Sequence, residues 1–270
     1  MARGKQVAIG RQCFLGIGLL VLLAACGVTD PRDRTPATVT LTVSAAASLQ
    51  GALVDIGKAY GHQPLNVAIS YNFGSSGSLQ QQIEQGAPVD VFISAAPRQM
   101  DALESKALLL ADSRKDLLKN QVVLAVPKTA SGISDFKDLT GDRAAKIAMG
   151  DPDSVPAGQY AREVLIALKI YDLLGEKLVF AKDVNQVLAY VETGNVDAGF
   201  VYASDTKRSK QIGVIAVAEA NLHSPIIYPV AVLKDSKHPE AAQAFVQFLF
   251  SNAAKSLFED HGFRMANDSM

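Results

Sequence analysis

The sequence predicts an α/β protein in which mostly parallel sheets are flanked by helices. From Thr38 onward, short β-branched runs alternate with stretches of helical spacing. Alternation of this kind builds parallel sheets with helices on both faces. The junctions between the two kinds of segment are short and rich in small residues and hydroxyls, as in SAAASL (44–49) and YNFGSSGSL (71–79).

In order, the strand runs are VTLTVSA (39–45), LNVAISY (65–71), VDVFISA (89–95), QVVLAVP (121–127), KIAMGD (146–151), KLVFAK (177–182), DAGFVYA (197–203), GVIAVA (213–218) and IIYPVAVL (226–233). Between them, Leu49, Leu53, Ile56 and Tyr60 share one helical face, as do Leu79, Ile83 and Ala87. Tyr160, Val164 and Leu168 repeat the pattern, followed by Val184, Leu188 and Val191. Met265–Met270 read as a frayed end. The length beyond residue 38 suits one large domain or two smaller lobes.

The N-terminus is of a different kind. MARGKQVAIGRQ is basic and CFLGIGLLVLLAAC is apolar, the order of a secretory signal. The apolar run is short for a membrane span. It ends Leu23-Ala24-Ala25-Cys26, which resembles the lipobox of bacterial lipoproteins. Residues 1–25 are thus expected to be a lipoprotein signal peptide, with Cys26 lipidated and residues 26–38 forming a polar tether with Pro31 and Pro36. Ordinary cleavage after Ala25, leaving a free thiol, is the alternative. The expected location is extracytoplasmic, anchored to a membrane.

Removing residues 1–25 removes Arg3, Lys5 and Arg11 and no acid, so the net charge of −1 becomes −4. Mild acidity disfavours a nucleic-acid partner. Cys13 falls in the signal and Cys26 at its end, so the folded part carries neither a disulfide nor a thiolate zinc site. The four histidines, His62, His223, His238 and His261, have no metal-ligand spacing.

Open α/β sheets bind ligands beyond the carboxyl ends of their strands. The junctions there read SAAASL, YNFGSSGSL, SAAPRQ (94–99), GDPDSVPAGQY (150–160), AKDVNQ (181–186) and VYASDT (201–206). A helix start leaves backbone N–H groups unpaired and adds partial positive charge, so converging starts can hold an anion without a cationic side chain. Each junction can also be a simple cap: Ser48 as an N-cap, Ser78 with Gln81 as a capping box, Asp183 with Gln186 likewise. Pro156 suits a first turn, leaving the amides of Ala157 and Gly158 at a helix tip.

Catalysis is not indicated. FGSSGSL lacks the lysine of a nucleotide-binding P-loop, no G-x-S-x-G elbow occurs, and no histidine sits at a junction to activate Ser48 or Ser76. Asp151, Asp153, Asp183 and Asp205 lie near junctions, where capping or a solvated rim accounts for them.

The segments AAASL (45–49), FGSSGSLQQQIEQGAPVDVFISA (73–95), GDPDSVPAGQYA (150–161), AKDVNQVLAYVETGNVDAGFVYASD (181–205) and YPVAV (228–232) together resemble the molybdate-binding proteins of ABC importers, over nearly all of residues 39–264. The resemblance implies a two-lobed periplasmic-binding-protein fold of type II, with the ligand in the interlobe cleft. Residues 39–120 with 227–264 would form one lobe and 121–226 the other, with crossings near Asn120–Val126 and Pro225–Tyr228. The implied ligand is molybdate or tungstate, and the implied partners are the transmembrane permease subunits. No other cofactor and no direct metal ligand is implied, and a monomer is expected. The implied contacts are hydroxyls of Ser48, Ser76 and Tyr202 and backbone N–H groups of Ala157 and Val184.

Two positions depart from the pattern: Ser44 replaces a bulkier apolar residue, and Gly77 replaces a frequent serine. Both bear on the fine shape of the pocket. Other readings are a carrier of sulfate, thiosulfate or ferric ion, an extracytoplasmic enzyme using Ser48 or Ser76 as nucleophile, and a structural lipoprotein.

Overall fold

A computed structural model describes residues 38–62, 66–130 and 132–268. The expected signal peptide, Cys26 and nearly all of the tether lie outside the described residues.

The chain runs β1 (Val39–Ala46), α1 (Gln50–Gly61), β2 (Val67–Gly74), α2 (Ser76–Glu84), β3 (Val91–Ile93), α3 (Pro97–Ser105) and β4 (Lys115–Lys119). It continues through β5 (Val122–Pro127), β6 (Ile147–Gly150), α4 (Pro156–Ala167), α5 (Tyr171–Leu174), β7 (Leu178–Ala181), α6 (Val184–Glu192), β8 (Ala198–Tyr202), α7 (Ala203–Thr206) and β9 (Ile212–Val217). It ends with β10 (Ile227–Val232), α8 (Pro239–Leu249), α9 (Asn252–Asp260) and β11 (Arg264–Met265). Each expected strand run overlaps one of these strands.

The strands form two sheets, one ordered β11-β4-β10-β3-β1-β2 and the other β7-β6-β8-β5-β9. Strands joined through helices pair in parallel: β1 with β2 and β3, and β6 with β7 and β8. Both sheets are nevertheless mixed. β10 runs antiparallel to β3 and β4, and β5 runs antiparallel to β8 and β9. These are the strands that begin after the chain changes sheet, so no right-handed helical crossover dictates their direction.

Burial follows strand position. Leu41, Val43 and Ala45 of β1 are fully buried on one side, and Ser44 and Ala46 are buried on the other, as a central strand covered on both faces requires. The helix α1 turns Leu53, Ile56 and Tyr60 onto this sheet, and Tyr60 packs edge-on to Phe245 of α8 at 5.1 Å between centroids. In the second sheet Phe200 of β8 is fully buried and stacks on Phe136 at 5.9 Å.

One expectation is corrected at the chain's end, and one strand was not expected. Met265 is not frayed: it pairs with Leu118 of β4, and the Ala266 N–H donates to Leu117 O at 2.9 Å. β4 itself, KDLLK, had no expected counterpart, because its lysines mask the buried pair Leu117 and Leu118.

The β6–α4 connection is tight where it turns. A Cβ on Gly158 would stand 1.9 Å from Gly150 O, so only glycine lets the start of α4 fold back over the end of β6.

Phe200→Ala removes a stacked, fully buried ring and is expected to cost about 3–5 kcal/mol of unfolding free energy, measurable by urea denaturation.

Candidate functional site

The six helix-linked parallel strands end around one small cavity. It is lined by Ala46, Ala47 and Ser48 after β1, by Gly74, Ser75 and Ser76 after β2, and by Ala95 after β3. The second sheet contributes Val155, Pro156 and Ala157 after β6, Asp183 and Val184 after β7, and Tyr202 at the end of β8. All five residues expected from sequence, Ser48, Ser76, Ala157, Val184 and Tyr202, therefore meet at one place, and each is buried. The cavity has a volume of about 10 Å³, room for about one water molecule.

The helix starts aim backbone donors at this space. Ser76 is the first residue of α2, Ala157 the second of α4 and Val184 the first of α6. N–H groups in a first turn have no intrahelical acceptor, and those of Ser76, Ala157 and Val184 donate to no other described residue. Later amides of the same turns are satisfied: the Gln186 N–H donates to Asp183 Oδ1 at 2.9 Å and the Ser78 N–H to Ser75 Oγ at 3.2 Å. Ser75 is thus the N-cap of α2. Ser78, expected from its spacing to Gln81 to be the cap, lies inside the helix, which starts one turn earlier than the capping-box pattern implies. Ser48 is likewise not an N-cap; it sits in a short 3-10 turn, Ala47–Leu49, leading into α1.

A hydrogen-bond network orients the hydroxyls around the cavity. Ser76 Oγ accepts the Ala95 N–H at 2.9 Å, so its own proton remains to donate. Asn120 Oδ1 accepts the Gln121 N–H at 2.9 Å, which turns Nδ2 toward Ser204 Oγ at 2.8 Å and Tyr228 Oη at 3.2 Å. The phenol of Tyr228 is fully buried, accepts from Asn120 and lies 3.1 Å from Ser48 Oγ, a contact in which either hydroxyl can be the donor. Ser48 is thus held at the cavity by Tyr228, which Asn120 in turn positions. Burial, followed by the nearby Asp205 charge, holds the Tyr228 pKa above its ordinary value, so the phenol keeps its proton.

Tyr202 Oη is buried and has no hydrogen-bond partner among the described residues. A buried hydroxyl without a partner is costly and points to an acceptor supplied from elsewhere. Burial, then the Tyr228 and Tyr160 phenols and Asp205, pushes its pKa well above the ordinary tyrosine value, so it too is a donor. The lining contains no lysine, arginine or histidine. Its one charged member, Asp183, is engaged in capping α6. The result is a group of donors with few acceptors, placed in the positive field of three helix starts.

Sequence reasoning missed the supports. Asn120 and Tyr228 belong to the crossing segments, where spacing gives no sign that they meet Ser48. Asn185, second in α6, reaches across to the other sheet's side: its Nδ2 donates to Ala47 O at 3.0 Å and to Gln50 Oε1 at 3.3 Å. Arg208 orients that amide by donating to Asn185 Oδ1 at 2.7 Å and to Asp205 Oδ1 at 2.9 Å. Asp205 is fully buried rather than on a solvated rim, and its Oδ2 accepts the Tyr202 N–H at 3.0 Å.

These features fit a binding protein with a candidate site lined from both sheets. The chain belongs to the family of bacterial extracellular solute-binding proteins, whose model matches residues 41–264. The Bacillus subtilis protein named "Putative ABC transporter substrate-binding lipoprotein YvgL" is 43% identical over 244 residues, covering 90% of this chain and 93% of that protein. The molybdate-binding protein ModA of Haemophilus influenzae is 37% identical over 231 residues, 84% of this chain and 91% of the relative. Among solved structures, the periplasmic molybdate-binding protein of Azotobacter vinelandii aligns with a TM-score of 0.75 at 26% identity, over 83% of this chain and 98% of that one. The protein is ModA-like in sequence and fold.

Burial pushes the Asp205 carboxyl up to about 6, against the downward pull of Arg208. The native state thus holds a proton that the unfolded chain has lost between about pH 4 and 6, and stability falls as pH rises through that window. Relative to Asp205→Asn, the wild type is expected to lose up to about 3 kcal/mol between pH 4 and pH 7, read from denaturation midpoints of both proteins across that range.

Proposed function

We propose that this protein is the extracytoplasmic substrate-binding component of an ABC importer, capturing molybdate or tungstate and delivering it to a membrane permease. Ser48, Ser76 and Tyr202 would bind the anion through their hydroxyls, and Ala157 and Val184 through their backbone N–H groups. The two sheets with their helices, residues 39–120 with 227–264 and residues 121–226, would act as lobes that close on the ligand about the crossing segments. Lipidated Cys26 and the tether to residue 38 would hold the carrier at the membrane, in keeping with the lipoprotein named among its relatives.

The observation that carries this reading is the unpartnered Tyr202 hydroxyl among unpaired helix-start amides. Molybdate at neutral pH is a fully deprotonated dianion that can only accept hydrogen bonds. Burial away from water strengthens such bonds. Hydrogen phosphate carries a proton that needs an acceptor, so a donor-rich cage penalises it through an unpaired polar group. Sulfate shares the acceptor-only chemistry of molybdate and is discriminated against instead by its smaller size. The absence of lysine and arginine from the lining fits this selection, since a point charge attracts every anion alike.

Titration calorimetry of the soluble chain, residues 27–270, tests the reading. Molybdate and tungstate are expected to bind one to one, with sulfate and phosphate at least about a hundredfold weaker. Equal competition by sulfate or phosphate would refute the selection mechanism, and preferential sulfate binding would favour the alternative of a sulfate or thiosulfate carrier. Tyr202→Phe should weaken molybdate about tenfold or more while leaving the ligand-free stability unchanged or raised, because it removes an unsatisfied hydroxyl.

A further inference from the structure

The two halves touch directly beside the cavity, at a point where neither surface can yield. The Gly77 N–H, second residue of α2, donates to Ser154 O at 2.9 Å in the β6–α4 connection. Ser76 and Val155, the adjoining residues of the two segments, line the cavity. A Cβ on residue 77 would stand 2.6 Å from Ser154 O, 2.8 Å from its Cα and 3.1 Å from its C. These are backbone atoms, so no rotamer change relieves the overlap.

The Ser154 side is braced. The Ser154 N–H donates to Asp151 O at 3.2 Å, the Val155 N–H to the same oxygen at 2.8 Å, and the Asp151 N–H to Ala181 O at 2.9 Å. The facing residue is fixed in the first turn of a helix. On the cavity's other flank the crossing bond is made by the Asn185 side chain, which can adapt to a changed gap.

We propose that Gly77 is the closure stop: its missing side chain sets how near the two halves approach, and hence how tightly an oxyanion is gripped from both sides. The inference rests on the reading that the halves close on such an anion. With ordinary contact beginning near 3.4 Å, a methyl at 77 stops closure about 0.8 Å early, a gap that forfeits much of a van der Waals contact. Donor–acceptor distances near 2.9 Å would then stretch past the useful range for one half's donors.

The test is Gly77→Ala, with Gly61→Ala as control. Gly61 is also helical, and a Cβ there meets nothing within 4 Å. Gly77→Ala is expected to weaken molybdate and tungstate about tenfold or more. Its ligand-free melting temperature should be unchanged or raised, since alanine suits a helix better than glycine. Gly61→Ala should bind as the wild type does. Wild-type affinity in Gly77→Ala overturns the closure stop. A wild-type protein that binds neither anion overturns the cargo reading instead. The closure stop is then decided by crystal structures of the wild type and Gly77→Ala grown alike: a residue 77 N to Ser154 O distance near 2.9 Å in the wild type and beyond 3.5 Å in the variant supports it, and the same distance in both overturns it.

Discussion

A buried hydrogen-bond donor without an acceptor is costly, and this fold gathers several of them around one cavity. The first-turn amides of α2, α4 and α6 cannot be satisfied within their helices, and Tyr202 Oη finds no partner at all among the described residues. Such a cluster destabilises the molecule unless something with lone pairs completes it. The rest of the architecture follows from bringing those donors together. Parallel strands joined by helices put three helix starts at one edge of each sheet, and the two edges face each other. The antiparallel strands β5 and β10 then carry the chain between sheets without disturbing the parallel groups.

The surroundings of the cavity are built to keep its hydroxyls oriented. Asn120 turns Tyr228, Tyr228 turns Ser48, and the Ala95 amide turns Ser76. On the other side, Asp205 holds the Tyr202 backbone and anchors Arg208, which sets the Asn185 amide across the gap. A fully buried carboxylate is an expensive support, as the upward shift of Asp205 shows. Its position behind Tyr202 keeps that negative charge out of the lining while still fixing the strand end. Preorganisation of this kind removes part of the ordering cost from the binding step.

Much of this was legible in the sequence because punctuation marks helix starts. Pro156 and Asp183 announce the first turns that expose Ala157 and Val184, and glycine-serine runs mark those near Ser48 and Ser76. What the sequence withheld depends on contacts between distant segments. Nothing local joins Asn120 to Tyr228 or to Ser48, and Asp205 looks like an ordinary cap until its burial is seen. Ser78 misled because S-x-x-Q fits a capping box equally well one turn too late; Ser75 takes that role. β4 was hidden by the lysines and aspartate that surround its buried leucine pair, and β11 by its two-residue length and the arginine at the sheet edge. Gly77 stood out as a departure from the resembled pattern, but its physical meaning depends on Ser154 across the gap.

The measurement that bears most directly on the central claim is a crystal structure of the protein with molybdate. The account predicts the anion held by the amides of Ala157 and Val184 and the hydroxyls of Ser48, Ser76 and Tyr202, at donor–acceptor distances of roughly 2.7–3.1 Å, with no cationic side chain in contact. An anion found on lysine or arginine outside the cavity, or separated from Tyr202 Oη by a shell of water, would contradict it.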